Sequence, residues 1–278
     1  MRVYISADME GTSGITGPDD VSPGKPAYER FRKLLTKDVN AAIEGAIKGG
    51  ASQILVNEAH NGMRNILIEE LNPKAEMISG FTKPLCMMEG IDNSFDAVFL
   101  VAYHAMAGTE AAILNHTLWG KEILNIRVND RPVGETALSS MAAGYFDAPV
   151  VLVTGDDKVA KEAKDLLGDI ETAVVKEGID RYVAKCLTPE ESAKRIRDAA
   201  ERALGRVKEF KPYKPRTPIR FEVDFVSTAI AATATLIPGI KKENPRTISF
   251  TSEDVFEGYK ELFAALLLAN TSADPTFG

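Results

Sequence analysis

Short apolar runs alternate with longer stretches of helical spacing along most of the chain. Arg2–Ser6 reads as a strand. Between Tyr28 and Lys48, apolar residues fall at Phe31, Leu34, Leu35, Val39, Ala42, Ile43 and Ile47, the three-and-four spacing of an amphipathic helix, and Gly49-Gly50 supplies the stop. Gln53–Asn57 (QILVN) is then a buried strand, with a short helix around Ile66–Leu71. Ala97–Ala102 (AVFLVA) and Ile123–Val128 are further strands, followed by a helix at Thr136–Tyr145, a strand at Val150–Thr154 and a helix at Asp157–Leu167. This alternation predicts an α/β fold with a mostly parallel sheet and helices on both faces. In such folds the ligand site lies outside the carboxyl ends of the strands.

Around Leu187 the pattern changes. Thr188-Pro189-Glu190-Glu191 combines an N-cap, a first-turn proline and two acids, which starts a helix that runs to about Ala203 and ends near Gly205. Pro212, Pro215 and Pro218 then space it from a strand at Ile219–Phe225, a strand at Arg246–Thr251 and a closing helix at Glu253–Asn270. The expected division is an α/β domain over 1–187 and a smaller C-terminal α+β subdomain over 188–278. Phe256, Tyr259, Leu262, Phe263 and Leu266 recur at helical spacing and read as core or subunit interface rather than a cofactor box.

The 278 residues carry a formal charge of -7, so the basic footprint of a nucleic-acid partner is missing. The most apolar stretch, Ala97–Ala107, is too short to span a membrane and contains His104. Met1–Ser6 is followed by Ala7 and then Asp8, and so lacks the sustained apolar core of a signal peptide; the expected location is the cytoplasm. Cys86 and Cys186 stand a hundred residues apart, too few and too distant for a disulfide framework or a thiolate cage.

The informative polar residues sit where strands end. Asp8 and Glu10 follow the first strand two residues apart, so in extended chain they point the same way. His60 closes Asn57-Glu58-Ala59-His60 after the second strand, and His104 follows AVFLVA in Tyr103-His104-Ala105. Glu135 stands after the turn Asn129-Asp130-Arg131-Pro132-Val133-Gly134, at the mouth of the next helix. The third and last histidine, His116, lies in Leu114-Asn115-His116-Thr117. Mixed carboxylate and imidazole donors suit Zn, Mn or Fe better than Ca or Mg. Three carboxylates and two imidazoles exceed the roughly three protein ligands of a single catalytic zinc and fit two metals with a bridging carboxylate. Read singly, the same residues serve equally as helix caps, solvated loop charges or a hydrogen-bonded core histidine, and spacing alone leaves both readings open. A metal-dependent phosphatase or phosphodiesterase is a competing class, with Lys25, Lys83 and Arg131 as possible phosphate donors, and Arg131 is also a candidate for stabilising negative charge during amide cleavage. Gly11, Gly14 and Gly17 invite a non-enzymatic small-molecule-binding module but match neither dinucleotide nor P-loop spacing.

The segments Ser6-Ala7-Asp8-Met9-Glu10-Gly11, Asn57-Glu58-Ala59-His60, Gly80–Gly90 (GFTKPLCMMEG), Tyr103-His104-Ala105 and Asn129–Glu135 together resemble the bacterial zinc-dependent D-aminopeptidase family. The resemblance runs from residue 1 to the closing helix and is strongest before about residue 190. It implies a binuclear zinc peptidase that removes N-terminal D-amino acids, notably D-alanine, from short peptides and amides. It further implies Asp8 as the bridge between two zinc ions, completed by Glu10, His60, His104 and Glu135. His116 falls on the position of the family's catalytic histidine, described as a nucleophile; a neutral imidazole beside two metals is also able to act as general base. A large ring-shaped homo-oligomer, a decamer, is implied as well. Asn115 stands where a small hydroxyl residue is expected and Glu58 where Asp is expected.

Overall fold

The computed structural model describes residues 1–273. Strands β1 (Arg2–Ala7), β2 (Gln53–Glu58), β3 (Ala75–Ile78), β4 (Ala97–Tyr103), β7 (Val150–Asp156), β8 (Glu171–Asp180) and β9 (Val183–Cys186) form a seven-stranded sheet in the order β3-β2-β1-β4-β7-β8-β9. All neighbours are parallel except β8 and β9, which form a hairpin at the edge. The remaining strands, β5 (Ile123–Val128), β6 (Arg131–Val133), β10 (Ile219–Phe225), β11 (Lys241–Asn244) and β12 (Thr247–Ser252), make an antiparallel sheet in the order β11-β12-β10-β5-β6. The α/β class with a mostly parallel, helix-covered sheet is as the apolar pattern predicts.

Side chains alternate across the parallel sheet, and each face has its own cover. Val3 and Ile5 of β1 and Phe99 and Val101 of β4 pack with Phe31, Leu35, Val39 and Ile43 of α2 (Pro26–Lys48) and with Ile196 and Ala200 of α5 (Pro189–Gly205). Tyr4, Val98 and Leu100 point the other way, into a core shared with α3 (Glu135–Tyr145), α4 (Asp157–Leu167), α7 (Val255–Asn270) and the antiparallel sheet. Each of the Val, Leu, Ile and Phe side chains among them, when fully removed from water, contributes about 1.5–3 kcal/mol. The stripe on α7 is core: Tyr259, Leu262, Phe263 and Leu266 are buried.

The two sheets do not follow a division at residue 187. β5 and β6, from the first half of the chain, pair in the antiparallel sheet with β10, while α5, from the second half, packs on α2 and β8. Two short helices, α1 (Pro18–Val21) and α6 (Thr228–Ala234), and the strands β3, β6, β8, β9 and β11 have no counterpart in the apolar pattern.

Register places the chemistry. Ala7, the last residue of β1, lies between Glu58 of β2 and Val101 of β4. The residues just beyond, Asp8, His60 and His104, therefore emerge side by side at the carboxyl edge.

Candidate metal centre

The loop after β1 lies flat against β4. Asp8 and Gly11 donate their backbone N–H groups to the carbonyls of Val101 (2.9 Å) and Ala102 (2.8 Å). The approach is so close that a Cβ on Gly11 would stand 2.2 Å from the Tyr103 carbonyl oxygen. β4 itself departs from regular pairing with β7 between Leu100 and Tyr103, and Ala102 adopts a left-handed conformation (φ 58°). Such an irregularity re-aims the next side chains, here His104. Glu135 is the first residue of α3. The glycine before it fits because Met106 and Glu162 crowd the space a Cβ would take, each about 2.7 Å from it.

The five residues picked out by strand ends and turn meet in one buried cluster. His60 Nδ1 lies 3.4 Å from Asp8 Oδ1 and 3.0 Å from Glu10 Oε2. His104 Nε2 lies 3.4 Å from Asp8 Oδ2 and 3.3 Å from Glu135 Oε2. Two triads of donor atoms thus share Asp8: Asp8–Glu10–His60 on one side, Asp8–His104–Glu135 on the other. His116 stacks on His104, ring centroids 4.1 Å apart, with its Nε2 4.0 Å from Glu10 and 3.8 Å from Glu135.

Each imidazole has its second nitrogen occupied by main chain. His60 Nε2 meets the Val21 carbonyl at 2.8 Å, His104 Nδ1 that of Ala105 at 3.0 Å, and His116 Nδ1 that of Leu114 at 2.7 Å. A carbonyl only accepts, so these nitrogens carry the ring protons and the opposite nitrogens present lone pairs to the cluster. Lone pairs therefore face carboxylate lone pairs, and Asp8 Oδ2, Glu10 Oε2 and His104 Nε2 are buried without a hydrogen-bond partner. Only a cation between them, a proton or a metal ion, makes that arrangement favourable. The donor set and its orphaned atoms fit zinc.

The proton affinities show the same tension. Burial, reinforced by the charge of Glu10, pushes Asp8 up to about 8. Burial would also raise Glu10, but His60 and His116 outweigh it and hold Glu10 well below the usual carboxylate range. His60 and His104 are raised despite burial, by Glu10 and Asp8 in one case and Glu135 and Asp8 in the other. His116 goes the opposite way: burial and the neighbouring His104 lower it, so it is neutral near pH 7.

The cluster forms the floor of a cavity of about 440 Å³, with Met63, Phe81, Met87, Leu118 and Trp119 on its walls. Neither the cationic side chains considered for phosphate nor Arg131 reach it. Arg131 lines a different cavity with Met106 and Lys158, Lys25 is exposed and pairs with Asp19, and Lys83 is buried with its ammonium on Asn57 Oδ1 (2.7 Å) and the Glu58 carbonyl (2.6 Å). Arg131 is thereby corrected as a candidate for charge stabilisation. The two departures from the family pattern hold loops. The Glu58 carboxylate accepts from the backbone N–H of Asn65 and Ile66, and the Asn65 side chain in turn donates to the His60 carbonyl. Asn115 accepts from Gly108 N–H and donates to the Ala112 carbonyl.

Sequence reasoning missed Lys176 of β8. It is 2% exposed, and its ammonium donates to the carbonyls of Glu10, Thr12 and Ile15. A lysine inside ETAVVKEGID reads as a solvated strand residue, and nothing local marks it otherwise.

Acid and imidazole donors converging on shared carboxylate oxygens at the carboxyl edge of a parallel sheet define a metal-dependent hydrolase. Comparison with known proteins narrows the class. The D-aminopeptidase family model matches residues 1–264, and the chain belongs to that family, as its motifs indicate. A curated D-aminopeptidase of Bacillus subtilis (strain 168) is 38% identical over 272 residues, which is 97% of this chain and 98% of the relative. A solved structure, the Zn-dependent D-aminopeptidase DppA from Bacillus subtilis, described as a self-compartmentalizing protease, matches with a TM-score of 0.95 at 36% identity, over 99% of this chain and 100% of that one.

Proposed function

We propose that the chain is a two-zinc aminopeptidase that removes N-terminal D-amino acids, D-alanine among them, from short peptides and amides. The observation that carries the two-metal reading is Asp8, whose two carboxylate oxygens each face a different histidine. One zinc would be held by Asp8, Glu10 and His60, and a second by Asp8, His104 and Glu135. The D-amino preference rests on the activity named for the two Bacillus relatives.

A bound zinc pair supplies Lewis-acid polarisation of the scissile carbonyl and acidifies the attacking water. The chain's own residues do the rest. His116, neutral and oriented by the Leu114 carbonyl, presents Nε2 to the cavity, takes the proton of the attacking water and returns it to the leaving amine. Glu135 Oε1 accepts from Leu118 N–H at 2.7 Å, which ties the ligand helix to the loop that carries His116. Met63, Met87 and Trp119 exclude bulk water and accept a small side chain.

We also place the protein in the cytoplasm and in a large homo-oligomer, a ring of ten chains. The description of the solved relative as self-compartmentalizing supports the assembly. Ile179, Tyr182 and Val183, between 51% and 64% exposed on the β8–β9 hairpin, offer apolar surface for it. Among the described residues, no helix is long and apolar enough to cross a membrane.

The test is zinc content of the purified protein together with hydrolysis of D-Ala-p-nitroanilide and its L-isomer. The expected result is about two zinc per chain, D-selective cleavage, and loss of activity on chelation that zinc restores. A protein that takes up no metal under any reconstitution refutes the reading.

A further inference from the structure

The loop that carries Asp8 and Glu10 is fastened on two sides, and the two fastenings differ in kind. Its first half rests on β4 through the backbone bonds of Asp8 and Gly11. Its second half reaches past β4 and β7 to β8, three places along the sheet from β1. There the Lys176 ammonium takes the carbonyls of Glu10, Thr12 (2.9 Å) and Ile15 (2.8 Å), so that all three of its N–H donors end on this one loop. Ser13 adds a bond from its hydroxyl to the Leu187 carbonyl at 2.7 Å, just past the β8–β9 hairpin.

Burying an ammonium is costly unless every donor is satisfied and the charge is used. Lys176 meets the first condition with main-chain oxygens. The second is met by position, because the carbonyl it holds belongs to the residue whose carboxylate faces His60. Asp8 has its own anchor on β4, His104 directly follows β4 and Glu135 opens α3, and the Lys176 ammonium donates its hydrogen bonds to none of these.

We propose that Lys176 is a positioning residue for one half of the metal pair: by gathering the Glu10, Thr12 and Ile15 carbonyls it fixes the Glu10 carboxylate beside His60, and so sets the affinity of the Asp8–Glu10–His60 site while leaving the Asp8–His104–Glu135 site to other supports. The inference rests on the two-zinc reading above. It makes the two sites separable by a substitution that removes no ligand.

The experiment is a zinc titration of the metal-free protein against a competing chromophoric chelator, on wild type and Lys176→Met. Wild type fills two sites, and a wild type that fills none or one defeats the two-zinc reading itself. Given two sites in wild type, Lys176→Met weakens one by about 10- to 100-fold, the range typical of residues that orient a ligand, and leaves the other within about threefold. In a Glu10→Ala background, where the ligand that Lys176 orients is gone, adding Lys176→Met produces no further loss. Equal weakening of both sites, no weakening of either, or a full additional loss in the Glu10→Ala background overturns the proposal. Lys176→Gln, which keeps two of the three donors, is the second variant and falls between wild type and Lys176→Met. If neither variant yields folded protein, Lys176 is a folding residue and the proposal is likewise overturned.

Discussion

Gly11→Ala adds one methyl group where the chain has no room for it. Gly11 does not occupy the left-handed region, so alanine fits its backbone conformation and the entire effect comes from space. The new Cβ would stand 2.2 Å from the Tyr103 carbonyl oxygen, 2.4 Å from the Ala102 carbonyl carbon and 2.7 Å from the Ala102 oxygen. Real Cβ contacts begin at about 3.2 Å, so the loop must lift from β4 by about 1 Å, and the obstacle is main chain of a central strand that cannot swing aside. The lift falls on Asp8 and Glu10, whose oxygens sit 3.0 to 3.4 Å from His60 and His104. A displacement of about 1 Å in catalytic groups costs about 10²-fold in rate, or close to 2.7 kcal/mol. The overpacking itself costs about 1–3 kcal/mol of stability. The assay is kcat/KM on D-Ala-p-nitroanilide beside zinc content and urea denaturation. A Gly11→Ala enzyme within about threefold of wild type in kcat/KM would show that the close approach to β4 does not set the geometry of the centre.

Replacing His116 with alanine should lower kcat by about 10²- to 10⁴-fold while zinc content stays at the wild-type value; parallel loss of zinc would make His116 a ligand instead. Asp38 of α2 is buried, which pushes its carboxyl from the ordinary 3.8 up to about 7, against the hydrogen bond from Ser192. The folded state therefore holds this proton more tightly than the unfolded chain, and the stabilisation is complete below about pH 3.8 and lost as pH rises through 7. Asp38→Asn has no such proton, so its urea midpoint should gain on wild type between pH 4 and 8; a difference that does not change with pH would refute the assignment.

The central strands and the clustered polar residues that follow them were legible because one physical fact marks both. A strand buried on two faces must be a continuous apolar run, and a polar residue directly after such a run stands at the carboxyl edge. Asp8, Glu10, His60 and His104 all announce themselves this way. Glu135 was legible for a different reason, as an acid placed where a turn hands over to a helix. The β8–β9 hairpin was invisible because most of its residues are exposed or only partly covered, so no apolar run sets it apart. The place of β5 was also hidden. Its pairing partner β10 lies some ninety residues later, and only the tertiary fold reveals that it joins the antiparallel sheet. Lys176 combines both difficulties: its burial and its three acceptors exist only once β8 has been brought to the loop after β1.

The bonds from His60, His104 and His116 to the carbonyls of Val21, Ala105 and Leu114 have an evolutionary consequence. Where a carboxylate side chain orients a histidine, one nucleotide change can remove the orienting group. Here the orienting oxygens belong to the peptide backbone, which every amino acid carries, so no single substitution at those three positions deletes them. The choice of Nδ1 in His60 and Nε2 in the other two is thus inherited with the path of the chain. Neighbouring residues are free to drift without rewriting which nitrogen of each ring faces the carboxylate cluster.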